Sequence, residues 1–278
     1  MSASSRRPVI TLLTDYGTTD EFAGVLHGVI AMICPDARVI DLTHGIGRHD
    51  IGSGATILAQ SLPYLPVGVH LAVVDPTVGG DRRAVALRLA DGRMLVGPDN
   101  GLLWAASKAG GGVEQAVEIS QSPWRHEPVA ATFHGRDIFA PVTARLAAGE
   151  RFDQAGTPLD AELLIRLEEP RARTEGGALV AIATNSDGFG NVQLGAGSED
   201  ISGLGVELGA DLLVRLPSGE ARPATYAVTF SDVVEGDLIL FEDSNHRLAL
   251  GVNHGSALVR LGLRPGDQLR ISAAREHG

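Results

Sequence analysis

Short apolar runs alternate with helix-spaced apolar residues through the first half of the chain. Val9-Ile10-Thr11-Leu12-Leu13 has the pattern of a buried strand. After it Phe22, Val25, Leu26, Val29, Ile30 and Ile33 recur at spacings of three and four, which is one face of a helix, with Asp20 placed as its N-cap and Pro35 as its stop. Arg38 to Leu42 predicts a second strand, Ile51 to Leu62 a helix ended by Pro63, and Val69 to Val74 a third strand. Ala84 to Leu89 and Met94 to Val96 flank an Asp91-Gly92 turn and predict a hairpin or adjacent strands. Val129 to Phe133 predicts another strand and Phe139 to Ala148 a helix. Alternation of this kind builds a mostly parallel sheet covered by helices.

The pattern changes over residues 151–177, a charged stretch with Pro158, Pro170 and the pair Gly176-Gly177, which reads as a linker or long connection. Beyond it come short strand-like runs at Leu179–Ala183, Leu212–Leu216, Tyr226–Phe230, Asp237–Phe241, Leu248–Val252 and Gln268–Ile271, separated by turns such as Ser186-Asp187-Gly188 and Pro265-Gly266-Asp267. They predict a small antiparallel barrel or sandwich of about 100 residues. The fold expected is therefore α/β, with an N-terminal α/β domain over residues 1–165 and a C-terminal antiparallel β domain over residues 166–278. A length of 278 residues agrees with two domains.

Composition narrows the function classes. One cysteine, Cys34, excludes an intramolecular disulfide framework and a cysteine-based zinc site. A net charge of −11 disfavours general nucleic-acid binding, which needs Lys and Arg to neutralise phosphates. No apolar run approaches the roughly 18 residues of a membrane span, and Met1 to Pro8 does not look like a targeting segment, so the expected place is the cytoplasm.

Ligands of open α/β sheets bind beyond the carboxyl ends of the strands. Asp15, Asp75 and His134 each stand just after an apolar run, and each is followed by glycine-containing turn chemistry, at Gly17, Gly79-Gly80 and Gly135. If the three strands are parallel, two carboxylates and an imidazole project from one edge. An Asp in such a place also caps the next helix or closes a turn, and that alternative stands for each taken alone. The pair Arg82-Arg83 is available to a carboxylate. There is no P-loop, no G-x-G-x-x-G and no G-x-S-x-G elbow. His44 and His49 near Asp41 and Asp50 suggest a metal site, but their spacing fits no zinc motif, and the expectation is no metal. In the second half Asp187-Gly188-Phe189-Gly190-Asn191 sets an aromatic between two glycines, suited to stacking on a planar ring or to an ordinary hairpin turn. Asp243-Ser244-Asn245 and Asn253-His254-Gly255-Ser256 are similar polar clusters.

Five stretches together resemble the S-adenosyl-L-methionine (SAM) hydrolases, also called SAM hydroxide adenosyltransferases, whose relatives include fluorinating and chlorinating enzymes. They are Leu13-Thr14-Asp15-Tyr16-Gly17, Val73-Val74-Asp75-Pro76-Thr77-Val78-Gly79, Gly97-Pro98-Asp99-Asn100-Gly101-Leu102, Thr132-Phe133-His134-Gly135-Arg136-Asp137 and Asp187-Gly188-Phe189-Gly190-Asn191, in the family order and over nearly the whole chain. The resemblance implies a C-terminal β-barrel and a homotrimer with each active site between unlike domains of two subunits. It implies that Asp75, Arg82 and His134 surround the attacking water, with Arg83 an alternative to Arg82. By the same resemblance Asp15, with Tyr16 beside it, holds the ribose, Asp187, Phe189 and Asn191 contact methionine and adenine, Ser244 lies near the methionine carboxylate, and Asn253 is on the adenine side. Thr77 stands where most relatives have Gly. The halogenating relatives carry Tyr where this chain has Asp75, and the fluorinating one has Ser where it has Gly135.

The chemistry agrees with the resemblance. The sulfonium lets methionine leave C5′ as a neutral thioether, so no general acid, metal or redox cofactor is required and SAM is substrate only. The enzyme must set a nucleophile in line and exclude bulk water. Asp75 with His134 is placed to accept the proton of water, with Arg82 orienting it. A carboxylate at position 75 repels a halide by about a few kcal/mol in a partly dry site. The expected reaction is hydrolysis of SAM to adenosine and L-methionine. A SAM-dependent halogenase and a non-catalytic adenosine or SAM binder are the alternatives.

Overall fold

The computed structural model describes residues 7–274, so the first residues of the Met1 to Pro8 stretch lie outside the described residues. The chain divides into two compact units, residues 1–167 and 168–278.

The first unit builds one seven-stranded sheet. In chain order it contains β1 (Val9–Thr14), α1 (Phe22–Ile33), β2 (Arg38–Thr43), α2 (Ile51–Ser61), β3 (Val69–Val73), β4 (Ala84–Leu89), β5 (Met94–Pro98), α3 (Trp104–Ala109), β6 (Val113–Glu118), α4 (Ala140–Ala147) and β7 (Thr157–Leu159). The strand order is β2-β1-β3-β5-β4-β6-β7. β2, β1, β3 and β5 are mutually parallel, while β4, β6 and β7 add antiparallel neighbours. Alternation along β1 sends Ile10 and Leu12 to one face, where they pack with Leu26 and Ile30 of α1 and Val142 of α4. Leu13 goes to the other face, with Leu58 of α2 and Ala106 of α3. The result is a sheet between two helical layers.

Two expectations fail here. Asp20 does not cap α1: Glu21 is the residue before the helix, and its side chain makes no cap hydrogen bond. Residues 129–133 are a turn-containing loop rather than a strand. Their backbone is satisfied locally instead of by a ladder, since the Ala130 N–H donates to Asp137 Oδ2 at 2.8 Å. The helix after them begins with a π turn, Gly135–Phe139, that runs into α4.

The second unit contains β8 (Arg173–Glu175), β9 (Ala178–Ser186), β10 (Val192–Leu194), α5 (Ser198–Ser202), β11 (Asp211–Arg215), β12 (Ala221–Tyr226), β13 (Leu238–Glu242), β14 (Leu248–Val252), α6 (Ala257–Leu261) and β15 (Gln268–Ala273). The order β10-β14-β13-β12-β11-β15-β9 closes through the β9–β10 pairing, with β8 appended to β9. This is the β-barrel expected, and closure joins the two ends of its seven-stranded ring. β12 and β13 pair in parallel, so the barrel is mixed rather than wholly antiparallel. The strand expected over Tyr226–Phe230 instead ends at Tyr226, because Asp232 captures the Val228 and Thr229 N–H groups at 3.1 and 3.0 Å. Among the described residues, no helix is long and apolar enough to cross a membrane.

His70 sits fully buried in β3, its Nδ1 2.9 Å from Thr11 Oγ1. Burial first, and then Arg93, pushes its pKa down from 6.5 to about 4, against a smaller upward pull from Asp91. The unfolded chain therefore binds a proton in this range that the folded chain refuses. Stability is full above pH 6.5 and is lost as pH falls toward about 4, by up to about 3 kcal/mol. Urea midpoints measured across this range should fall, and His70→Asn should flatten the fall; an equally steep fall in the variant would place its origin elsewhere.

Candidate active site

The register of the parallel strands sets the site. Thr14 pairs with Val73, so the chain leaves β1 and β3 at the same sheet edge and delivers Asp15 and Asp75 there. Asn100 supports that edge by donating from Nδ2 to the Val74 carbonyl at 2.8 Å. The loop after Asp75 turns at Gly79, where φ is +79° and a Cβ would run into the carbonyl oxygen of Ala131. The loop from Asp75 thus packs against the segment that leads to His134. Thr77, whose carbonyl accepts the Gly80 N–H at 3.0 Å, forms a turn in this loop with its side chain in solvent.

Arg82 joins the two sides. Its Nε donates to both oxygens of Asp75 at 3.0 Å, and its Nη2 donates to Asp75 Oδ2 as well. The same Nη2 lies 2.8 Å from His134 Nδ1. Both side chains of the ion pair are buried, 7% and 5% exposed, and Arg82 stacks on Phe139 at 5.3 Å. A guanidinium only donates, so Nδ1 is an acceptor and the neutral imidazole carries its proton on Nε2. Burial, then Arg82, lowers the His134 pKa, with Asp75 and Asp137 pulling the other way. The imidazole is therefore held neutral. The Asp137 carboxylate, fully buried, fixes the π turn by accepting from Ala130 N and from Arg136 Nε at 2.6 Å.

Arg83 points elsewhere. Its Nε and Nη2 donate to Asp99 Oδ2 at 2.8 and 2.6 Å, and its Nη2 reaches the Leu163 carbonyl at 2.5 Å. Of the two adjacent arginines, only Arg82 meets Asp75 and His134.

A cavity of about 370 Å³ opens beside the ion pair, lined among others by Asp15, Tyr16, Asp20, Asp75, Phe133 and Gly135. Tyr16, Phe22 and Phe133 form an aromatic wall with ring centroids 5.0–5.9 Å apart. Asp15 Oδ2 accepts the His49 N–H at 3.0 Å, leaving the rest of the carboxylate available. The Tyr16 hydroxyl is kept protonated, chiefly by burial and then by Asp15 and Asp75. Gly135 makes room for it, since a Cβ there would meet Tyr16 Oη. Phe22 and Arg48 also line this cavity and were not offered as site residues from sequence, while Phe133 belongs to a family-like stretch and His49 was considered only as part of a metal site. The available signal for Phe22 was its place at the very start of a helix, where it remains 37% exposed.

In the second unit Asp187 closes its own hairpin. Its Oδ1 accepts the N–H groups of Phe189 and Asn191 at 3.0 and 2.9 Å, and its Oδ2 accepts Asn191 Nδ2 at 2.8 Å. The turn holds Phe189 out in solvent, 85% exposed. Asn253, which donates to the Val233 carbonyl at 2.9 Å, follows β14 at the end that neighbours Asn191. Ser244 stands in the turn before β14, at the strand's opposite end. The barrel therefore groups Asp187, Phe189, Asn191 and Asn253, and sets Ser244 apart from them.

Comparison with known proteins follows the same division. Residues 10–156 match the SAM hydroxide adenosyltransferase N-terminal domain, and residues 183–270 match the C-terminal domain of that family. The (R)-S-adenosyl-L-methionine hydrolase of Salinispora tropica is 47% identical over 96% of this chain and 98% of its own. The fluorinase of Actinopolyspora mzabensis is more distant, 28% identical over 98% of this chain and 99% of its own. A solved structure of an uncharacterized conserved protein from Thermotoga maritima superposes with a TM-score of 0.87 at 31% identity, covering 95% of this chain and 99% of that one. With both domains matched in order and a hydrolase aligned over nearly its whole length, this chain belongs to the SAM hydroxide adenosyltransferase family.

Proposed function

We propose that the protein hydrolyses SAM by attack of water at C5′, giving adenosine and L-methionine. The observation that carries this is the Asp75–Arg82–His134 array, its ion pair buried, beside a cavity lined by carboxylates and aromatic rings. Asp15 and Asp20 offer negative charge to a sulfonium, and the aromatic wall offers π faces to a cation and to a flat base. The relatives' names specify the (R) configuration at sulfur, and the same epimer is assigned to this chain.

In the step, an oxygen lone pair of water forms the bond to C5′ while the C5′–S pair leaves on sulfur as a neutral thioether. The spare proton passes to Asp75 and then to solvent. His134 does not share that task in the state described, because its Nδ1 lone pair is engaged by Arg82. It acts instead by holding Arg82, and through it the carboxylate, in place. No oxidation state changes and the leaving group is uncharged, so the reaction calls for neither a redox cofactor nor a Lewis acid. Asp15 with Tyr16 is assigned to the ribose. Asp187, Phe189, Asn191 and Asn253 are assigned to the adenine and methionine side, with Ser244 at the methionine carboxylate. A halide nucleophile is disfavoured by the carboxylate at position 75.

The reading includes a homotrimer in the cytoplasm, with Phe189 and its neighbours supplied to the site by another copy. The exposure of an aromatic ring on a self-closed turn supports this. Its test is complementation. Copies carrying Asp75→Asn, mixed with copies carrying Phe189→Ala by co-expression, should recover up to about a quarter of wild-type activity, since half of each contributing surface is intact. Sites confined to single copies would recover none. The function itself is tested by incubating the purified protein with SAM and chloride and separating the products. Adenosine with methionine is expected; halodeoxyadenosine, or no turnover, would overturn the reading.

A further inference from the structure

His27 of α1, Asp41 of β2 and His44 just after β2 come together outside the Asp75–Arg82–His134 array, and the proposed hydrolysis uses none of them. His27 Nε2 lies 2.8 Å and His44 Nε2 3.1 Å from Asp41 Oδ1, and the three ligand atoms all fall within 4.8 Å of one another. Of the other loop groups that sequence spacing offered as partners, Asp50 caps α2 by accepting from Ser53 N and Oγ at 2.9 and 2.6 Å, and His49 lines the cavity beside Asp15. The third member comes instead from a helix, out of reach of local spacing.

The state of His44 points to an ion. Its side chain is only 5% exposed, yet Nε2 has no hydrogen-bond partner among the described residues. At 3.1 Å from Asp41 Oδ1 it is close enough, but the approach is out of line for a hydrogen bond. Two ligands of one ion are close without pointing at each other, whereas a donor and its acceptor are not. The other ring nitrogen, Nδ1, is 2.8 Å from Thr14 Oγ1. A proton on Nδ1, donated to that hydroxyl, turns the Nε2 lone pair toward Asp41, which is the usual support of a metal-bound imidazole. Ligand bonds of about 2.1 Å in a tetrahedron put ligand atoms about 3.4 Å apart, so the cluster opens by about half an ångström to accept an ion. His27 and Asp41, 38% and 46% exposed, have the freedom to do so.

We propose that His27 Nε2, Asp41 Oδ1 and His44 Nε2 form a binding site for a borderline divalent transition cation of the zinc class, with the open coordination position facing solvent. Two imidazoles and one carboxylate suit zinc, cobalt or nickel, and not the all-oxygen preference of magnesium or calcium. The ion ties α1 to the end of the sheet that carries Asp15. His44 is already fastened there through Thr14 and through its carbonyl, which accepts the Gly17 N–H at 2.7 Å. It is a clasp beside the cavity and takes no part in the displacement.

The test uses the untagged full chain, stripped with a chelator and titrated with Zn²⁺ against a chromophoric competitor, with Co²⁺ absorption as a spectroscopic check. One equivalent should bind saturably and raise the thermal midpoint of the wild type. His27→Ala and Asp41→Asn should each weaken binding by at least about tenfold and remove the thermal shift. Both sites are partly exposed, and Ala is a good helix former in α1, so folding is not at risk. Wild-type affinity retained in both variants, or no saturable equivalent at all, would leave a cluster held only by the His27–Asp41 hydrogen bond and overturn the site.

Discussion

Asp75→Asn is expected to lower the turnover of SAM by about 10²- to 10⁴-fold, with SAM binding changed by no more than a few fold. The amide is nearly the same size and still offers one oxygen to Arg82, so the shape of the cavity is kept. It cannot take the proton that water must lose. Equilibrium binding of SAM, followed by single-turnover rates, separates the two effects. A variant that turned over at the wild-type rate would remove Asp75 from the chemistry. One that lost binding in proportion would make it a substrate ligand only.

The second large effect is on stability. Arg82→Met should cost about 3–5 kcal/mol, because it leaves the Asp75 carboxylate buried without its partner and takes a hydrogen bond from His134. The pair is buried on both sides, so solvent screening does not rescue it. Adding Asp75→Asn to Arg82→Met should then restore part of the loss, since the stranded charge is gone. Denaturant unfolding of the wild type, the two single variants and the double variant reads this directly. A double variant as unstable as the sum of the singles would contradict a coupled pair. Arg82→Lys should also fail in turnover, because an ammonium cannot present the planar fork that meets Asp75 and His134 together.

How far the sequence reached depended on whether the signal was local. Asp15 and Asp75 were legible because a buried parallel strand is a continuous apolar run, and the strand-end rule then puts the next polar residues at one edge. His134 was picked by the same rule, although the residues before it form no strand. The buried carboxylate of Asp137 binds that backbone, and a tertiary contact of this kind leaves no periodic trace. The choice between Arg82 and Arg83 was closed to sequence, since adjacent residues share every local signal. The structure separates them by contact, since Asp99 takes Arg83 and leaves Arg82 to meet Asp75 and His134. The barrel was legible as a series of short strands, but β10 has only three residues and β12 contains Pro223, which hid both. The helix α3 and strand β6 were likewise not foreseen. His27 entered the metal cluster from a helix that sequence read only for its apolar face.

Water, and not a halide, is expected to attack C5′. Reaction of the purified protein with SAM in chloride-containing buffer made with heavy-oxygen water, followed by mass spectrometry of the products, tests it most directly. Adenosine carrying the label on its 5′ oxygen is expected, with one unlabelled methionine for each adenosine. A halogenated deoxyadenosine, labelled homoserine beside methylthioadenosine, or intact SAM of both sulfur epimers would contradict it.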